Sequence, residues 1–104
     1  MKTDIRIEAQ VEGFVKSLAP DPRRRLRQAI KALAAGQGDI KQLEGNLSGF
    51  SRLGVAGCRV IFKERSERGV RIIDCIFAER RAVVYELFVR LLAEQALNQG
   101  RIEN

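Results

Sequence analysis

Four side chains in the second half of the chain combine into a recognisable chemistry: Arg52, Arg59, Arg81 and Tyr85. Arginine is permanently charged, and its planar fork matches two oxygens of a phosphate. A phenol titrates near 10 in water, at about that value, but neighbouring cations favour the phenolate and open general-base work to it. Three guanidinium groups and one phenol at a single point form an anion site suited to a phosphodiester. RNA carries its own nucleophile, the 2′-hydroxyl. Its cleavage needs that hydroxyl aligned or deprotonated, the charge on the phosphorane stabilised, and the 5′ oxygen released as an alcohol. Arginine serves the second need well, and such stabilisation is worth several kcal/mol (about 3) in a dry site.

Other chemistries find no support. The chain has no histidine, so imidazole bases and most zinc sites are excluded. Cys58 and Cys75 lack metal-ligand spacing and fall in apolar runs, as buried thiols of a reducing compartment do. No carboxylate pair is set for glycoside hydrolysis. Gly54 and Gly57 do not lead into a helix, so they form no phosphate-binding loop. No metal and no cofactor is expected.

These residues must be positioned by the stretch 50–88. Phe50–Val55 reads as a strand, and Gly54 and Gly57, flanking Ala56, mark a tight turn. In Cys58–Lys63, Cys58, Val60 and Phe62 alternate with Arg59, Ile61 and Lys63. If Leu53, Val55, Val60 and Phe62 face the core, Arg52 and Arg59 share the other face. The polar Glu64–Gly69 reads as a hairpin loop, and Val70–Phe77 as a strand buried on both faces. Pairing Lys63 with Val70 would set Cys58 opposite Cys75 and Arg59 opposite Asp74. Arg81 ends that strand, and Tyr85 lies one helical turn beyond it. The alternative for each of these residues is structural: Arg59 in an ion pair with Asp74, Tyr85 with its hydroxyl in solvent.

The runs Gly49-Phe50-Ser51-Arg52-Leu53, Arg59-Val60-Ile61-Phe62 and Arg80-Arg81-Ala82-Val83-Val84-Tyr85 resemble, in order and spacing, the RelE/ParE toxin superfamily. The resemblance covers most of the chain. It implies a ribosome-dependent endoribonuclease that cuts mRNA, the toxin of a type II toxin–antitoxin system, with a cognate antitoxin, the ribosome and mRNA as partners. Carried over, Arg59 and Arg81 hold the scissile phosphate, Tyr85 activates the 2′-hydroxyl and Arg52 binds the backbone. One departure is Gly54, where the family's strand often carries a second basic residue; Lys63 and Arg80 are candidates to compensate. ParE-like relatives share the fold but inhibit DNA gyrase without RNA chemistry, and that is the alternative reading.

Upstream, Thr3–Ile7 reads as a short strand. Val11, Phe14, Val15 and Leu18 form one helical stripe, and Leu26, Ala29, Ile30 and Leu33 form a second. Asp21 is placed as N-cap and Pro22 as first residue of the second helix, which runs to about Ala35 before a stop at Gly36. Arg23 and Arg24, with Arg25, Arg27 and Lys31, crowd that helix; a polyanion contact and a solvated face both account for them. Residues 36–49 read as a loop anchored by Ile40, Leu43 and Leu47. Ala82–Gln99 reads as a helix, apolar over more of its circumference than packing on a sheet requires. Leu87, Phe88 and Leu91 are therefore also a partner surface in this reading, and Gly100–Asn104 a frayed tail.

The 104 residues suit one domain, residues 1–104. The expected fold is α+β: a mixed four-stranded sheet, a helical hairpin on one face, and a C-terminal helix. Nineteen basic against thirteen acidic residues favour a polyanionic or acidic partner. No apolar run approaches the roughly 20 residues of a membrane span. The first ten residues do not resemble a signal peptide, so a cytoplasmic location is expected.

Overall fold

A computed structural model describes residues 2–103, with side chains through Gln99. The chain runs β1 (Thr3–Ile7), α1 (Ala9–Ser17), α2 (Pro20–Ala32), β2 (Asp39–Gln42), β3 (Ser51–Val55), β4 (Cys58–Glu67), β5 (Val70–Arg80) and α3 (Val84–Glu103). The strands form one mixed sheet in the order β1-β5-β4-β3-β2, with β1 parallel to β5 and every other pair antiparallel. The α+β reading stands, but the sheet has five strands. The extra one is β2, at the edge, inside the stretch read as a loop.

The two faces of the sheet carry separate apolar clusters. On one, Val11, Val15, Leu18, Leu26, Ile30 and Leu33 of the helical hairpin cover Leu53, Val60, Phe62, Ile73 and Cys75. On the other, Val84 and Phe88 of α3 cover Ile61 and Phe77, with Leu47 beside them. Phe88 meets Phe50 edge-on, ring centroids 5.1 Å apart, and lies tilted against Phe77 at 5.7 Å. Such aromatic pairs add about 0.5–1.5 kcal/mol beyond the area they bury. Leu87 and Leu91 are half-buried in this second cluster, so they seat α3 and do not form a free partner surface. Among the described side chains, the large apolar residues that α3 leaves to solvent are Val89 and, farther out, Leu97.

Several boundaries differ from the sequence reading. Helix α2 begins at Pro20 with Ala19 as its cap residue, not at Asp21-Pro22. Pro20 takes a helix-start position, where its missing N–H costs nothing, and only Leu18 and Ala19 separate the helices. Gly36 does stop the segment, in the left-handed conformation at φ 69°. Ile40 is 37% exposed, while Leu47 is buried and Leu43 packs on the α3 cluster. Helix α3 continues to Glu103, through the segment read as a frayed tail. Asn104 lies outside the described residues.

The β4–β5 register is the largest correction. Both strands extend to a two-residue turn, Arg68-Gly69, at φ 53° and 79°. Two consecutive positive φ values match the twist of a tight hairpin, so most of the expected loop is strand. Lys63 therefore faces Asp74, Arg59 faces Glu79, Cys58 faces Arg80 and Cys75 faces Phe62. The Cys58–Cys75 and Arg59–Asp74 pairings do not occur. Asp74 instead accepts from Arg65 at 2.8 Å. Between Ile61 and Phe62 the ladder slips by one, leaving Ile76 as the unpaired residue of a bulge. Among the described residues, no helix is long and apolar enough to cross a membrane.

Candidate active-site cleft

Residue parity along β3 and β4 sends Arg52, Gly54 and Arg59 to the face that α3 shares. Their neighbours Leu53, Cys58 and Val60 go to the face under the helical hairpin. Arg81 lies in the turn between β5 and α3, and its backbone N–H donates to Gly57 O at 2.9 Å. That bond ties it to the β3–β4 turn. Tyr85 sits in the first turn of α3, half-buried against the Phe88 cluster. Arg81 precedes the helix and does not belong to it, yet both residues face one opening. Arg52, Arg59, Arg81 and Tyr85 line a single cleft of about 430 Å³. The remaining wall is Lys41, Gln42, Leu43 and Glu44, from β2 and the residues after it.

The arginines are not equally free. Arg52 forms an ion pair with Asp39, Nη1 to Oδ2 at 3.0 Å, and donates from Nη1 to the Asp39 carbonyl at 3.3 Å. Arg59 donates from Nη1 to the Cys58 carbonyl at 2.9 Å. Among the described residues no carboxylate forms an ion pair with Arg59 or Arg81. Their charge is therefore available to a ligand anion, whereas that of Arg52 is partly answered by Asp39.

Four predicted binding residues stand elsewhere. Lys63 shares the face of Arg59 but lies farther along β4, beside Phe88 and Leu91. Arg80 is opposite Cys58 and does not line the cleft. Arg23 and Arg24 belong to α2, across the sheet. Arg23 is bound to the Leu18 carbonyl through Nε at 3.2 Å and Nη2 at 2.9 Å, which closes the end of α1. Arg24 pairs with Asp21 at 2.6 Å. With Arg27 and Lys31 they line a shallow basic groove.

Sequence reasoning missed Asp39, Lys41, Gln42 and Glu44. Their strand is short, polar and exposed at every residue, with only Ile40 and Leu43 as apolar signals. The usable clue was Asp-Ile-Lys-Gln itself, whose alternation puts Asp39 and Lys41 on one side.

No protein-family model and no curated protein matches the sequence. Solved structures do. The RelBE2 toxin–antitoxin complex of Mycobacterium tuberculosis contains a chain that is 17% identical, with a TM-score of 0.52 over 78% of this chain and 100% of that one. A YoeB/ParE toxin from Agrobacterium tumefaciens is 16% identical, with a TM-score of 0.54 over 78% of this chain and 99% of that one. The order of elements, the mixed sheet and these two likenesses agree: the chain has the RelE/ParE-like toxin fold.

Proposed function

We propose that the protein is the toxin of a type II toxin–antitoxin system and a metal-independent endoribonuclease that cleaves mRNA on the ribosome. The observation that carries this reading is the cleft, where Arg59 and Arg81, free of carboxylate partners among the described residues, face Tyr85. In this mechanism the two arginines hold the scissile phosphate and neutralise the phosphorane. Tyr85 takes the proton of the 2′-hydroxyl as that oxygen attacks phosphorus. The bond to the 5′ oxygen breaks and that oxygen takes a proton from solvent, leaving a 2′,3′-cyclic phosphate and an alcohol. Arg52 steadies the backbone. The basic groove of Arg23 and Arg24 offers a second phosphate contact, away from the chemistry. A cognate antitoxin would complete the system in the cytoplasm.

A second reading has its own observation. Asp39 answers the charge of Arg52, and Gly54 adds no base, so the cleft is less cationic than its arginines alone suggest. That favours a ParE-like inhibitor that binds DNA gyrase without cutting RNA. One experiment separates them: single-turnover incubation with mRNA on programmed ribosomes, in parallel with a gyrase supercoiling assay. Cleavage with a 2′,3′-cyclic phosphate end is expected. No cleavage together with inhibited supercoiling would replace the nuclease by the gyrase inhibitor.

A further inference from the structure

Asp39, Gly54 and Arg59 stand side by side on β2, β3 and β4, one directly opposite the next. Gly54 therefore leaves a gap in a row of side chains on the α3 face of the sheet, beside the cleft. Three polar atoms use it. A β-carbon built on Gly54 would lie 2.8 Å from Asp39 Oδ2, 2.9 Å from Arg52 Nη1 and 2.9 Å from Arg59 Nη1. Two guanidinium groups thus converge over one bare backbone position, with a carboxylate against the same spot.

Like charges so placed repel, and Lys41, opposite Arg52 on β2, adds to the repulsion. Asp39 offsets it. The Arg52 side chain is only 16% exposed, and Asp39 supplies both its counter-charge, the carboxylate, and its acceptor, the carbonyl. Both contacts use Nη1, and Arg59 is likewise anchored through Nη1, to the Cys58 carbonyl. Among the described residues neither arginine has a partner on Nε or Nη2. The Nε–Nη2 edge is one of the two edges with which a guanidinium grips two oxygens of a phosphate.

We propose that Asp39 is the positioning residue for the Arg52–Arg59 pair and that Gly54 is the bare seat the pair requires, so that both arginines offer an open edge to a substrate phosphodiester. The inference rests on the reading of the cleft as a phosphodiester site. It assigns Asp39 no contact with the reacting atoms.

The test uses Asp39→Ala, Asp39→Asn and Gly54→Ala in the full chain. Gly54 does not have a positive φ, and the atoms a methyl group would meet are ends of flexible side chains. Gly54→Ala should therefore fold and simply displace the guanidinium groups, which a thermal melt checks. Two readouts follow. The first is titration with inorganic phosphate, watched through the arginine Nε–H resonances. In the wild type those of Arg52 and Arg59 should shift together; Asp39→Ala and Gly54→Ala should weaken the response about tenfold, with Asp39→Asn between. The second is single-turnover cleavage at saturating ribosomes, where the same two variants should be slower by about ten- to a hundredfold, the scale of a small misplacement of a catalytic array. Tighter phosphate binding by Asp39→Ala would overturn the proposal, because Asp39 would then be a competing anion. Unchanged cleavage and unchanged phosphate response in both alanine variants would overturn it too. If the wild type cleaves nothing but the phosphate titrations behave as described, the positioning role stands and the nuclease reading is what fails.

Discussion

The side-chain amide of Gln10 takes both polar groups of the Ala78 backbone: Nε2 donates to Ala78 O at 2.7 Å, and Ala78 N donates to Oε1 at 2.8 Å. Strand β1 ends at Ile7, so β5 would lose its partner on that side. Glu8 N still reaches Cys75 O at 3.0 Å, and Gln10 then serves in place of a strand. Gln10→Ala leaves two backbone groups of the most apolar strand unpaired in a half-buried site. Stability should fall by about 1–3 kcal/mol, as for other broken hydrogen bonds of this kind. Urea denaturation checks it, and a loss below the precision of the midpoint would mean that water replaces the amide at no cost.

Tyr85→Phe keeps the ring that packs beside the Phe88 cluster and removes only the hydroxyl. Under the proposed mechanism it should slow single-turnover cleavage by ~10²-fold or more and leave ribosome affinity nearly unchanged. Arg24→Ala should do the opposite, weakening association and lowering its salt slope by about one phosphate contact. Arg23→Ala is a poorer probe, because Arg23 also closes the end of α1. Wild-type cleavage by Tyr85→Phe would make the phenol structural.

Burial pushes the Cys75 thiol up to about 12, helped by the nearby Asp74 carboxylate. Cys58 is raised as well, by burial, against the pull of Arg80. A raised thiol binds its proton in the folded state at a pH where the unfolded chain has released it. The contribution of Cys75 is therefore intact below the ordinary thiol value of 9.0 and is lost as pH rises from there toward about 12. In that window its slope should approach about 1.4 kcal/mol per pH unit. Denaturation midpoints measured at intervals above neutrality should show the decline, and Cys75→Ala should flatten it. Native protein at neutral pH should also resist thiol reagents until it unfolds. Rapid labelling of Cys75 in the folded state would contradict its burial.

Helix α3 has seating residues and free residues, and the two should respond differently. Leu87→Ser and Leu91→Ser should lower the melting temperature, since both side chains pack in the second cluster. Val89→Ser and Leu97→Ser should leave it nearly unchanged, because both are exposed, Leu97 at 65%. If an antitoxin binds this helix, the second pair should weaken the complex at constant stability. Isothermal titration of the purified partners would decide it, and equal affinity would remove the exposed face of α3 from the interface.

The elements legible in the sequence were those with a strong apolar period. Val11, Val15 and Leu18 announced the first helix, and the alternation of Cys58, Val60 and Phe62 announced β4 and its outward arginine. That alternation is also why the sequence alone assigns Arg52 and Arg59 to one face. Strand β2 could not be read, because an exposed edge strand of Asp-Ile-Lys-Gln buries nothing that would impose a pattern. With it went Asp39 and one wall of the cleft. The β4–β5 register was lost for another reason. It depends on whether Arg68-Gly69 turns tightly, and an arginine in a positive-φ position has no sequence signature.

The bulge at Ile76 has a consequence in signs of charge. Up to Cys75 the odd-numbered residues of β5 face the helical hairpin; after the extra residue it is Ala78 that does so, and Phe77 turns to α3. Side chains therefore reach the end of the strand in inverted phase. Glu79 comes to rest across from Arg59, and Arg80 points the other way, across from Cys58. Without the bulge the pairing that sets Lys63 against Asp74 would put Ala78 across from Arg59, and Arg80 would turn to the α3 face in place of Glu79. One unpaired isoleucine thus decides which sign of charge the end of β5 adds to the α3 face: a carboxylate opposite Arg59 in place of a guanidinium.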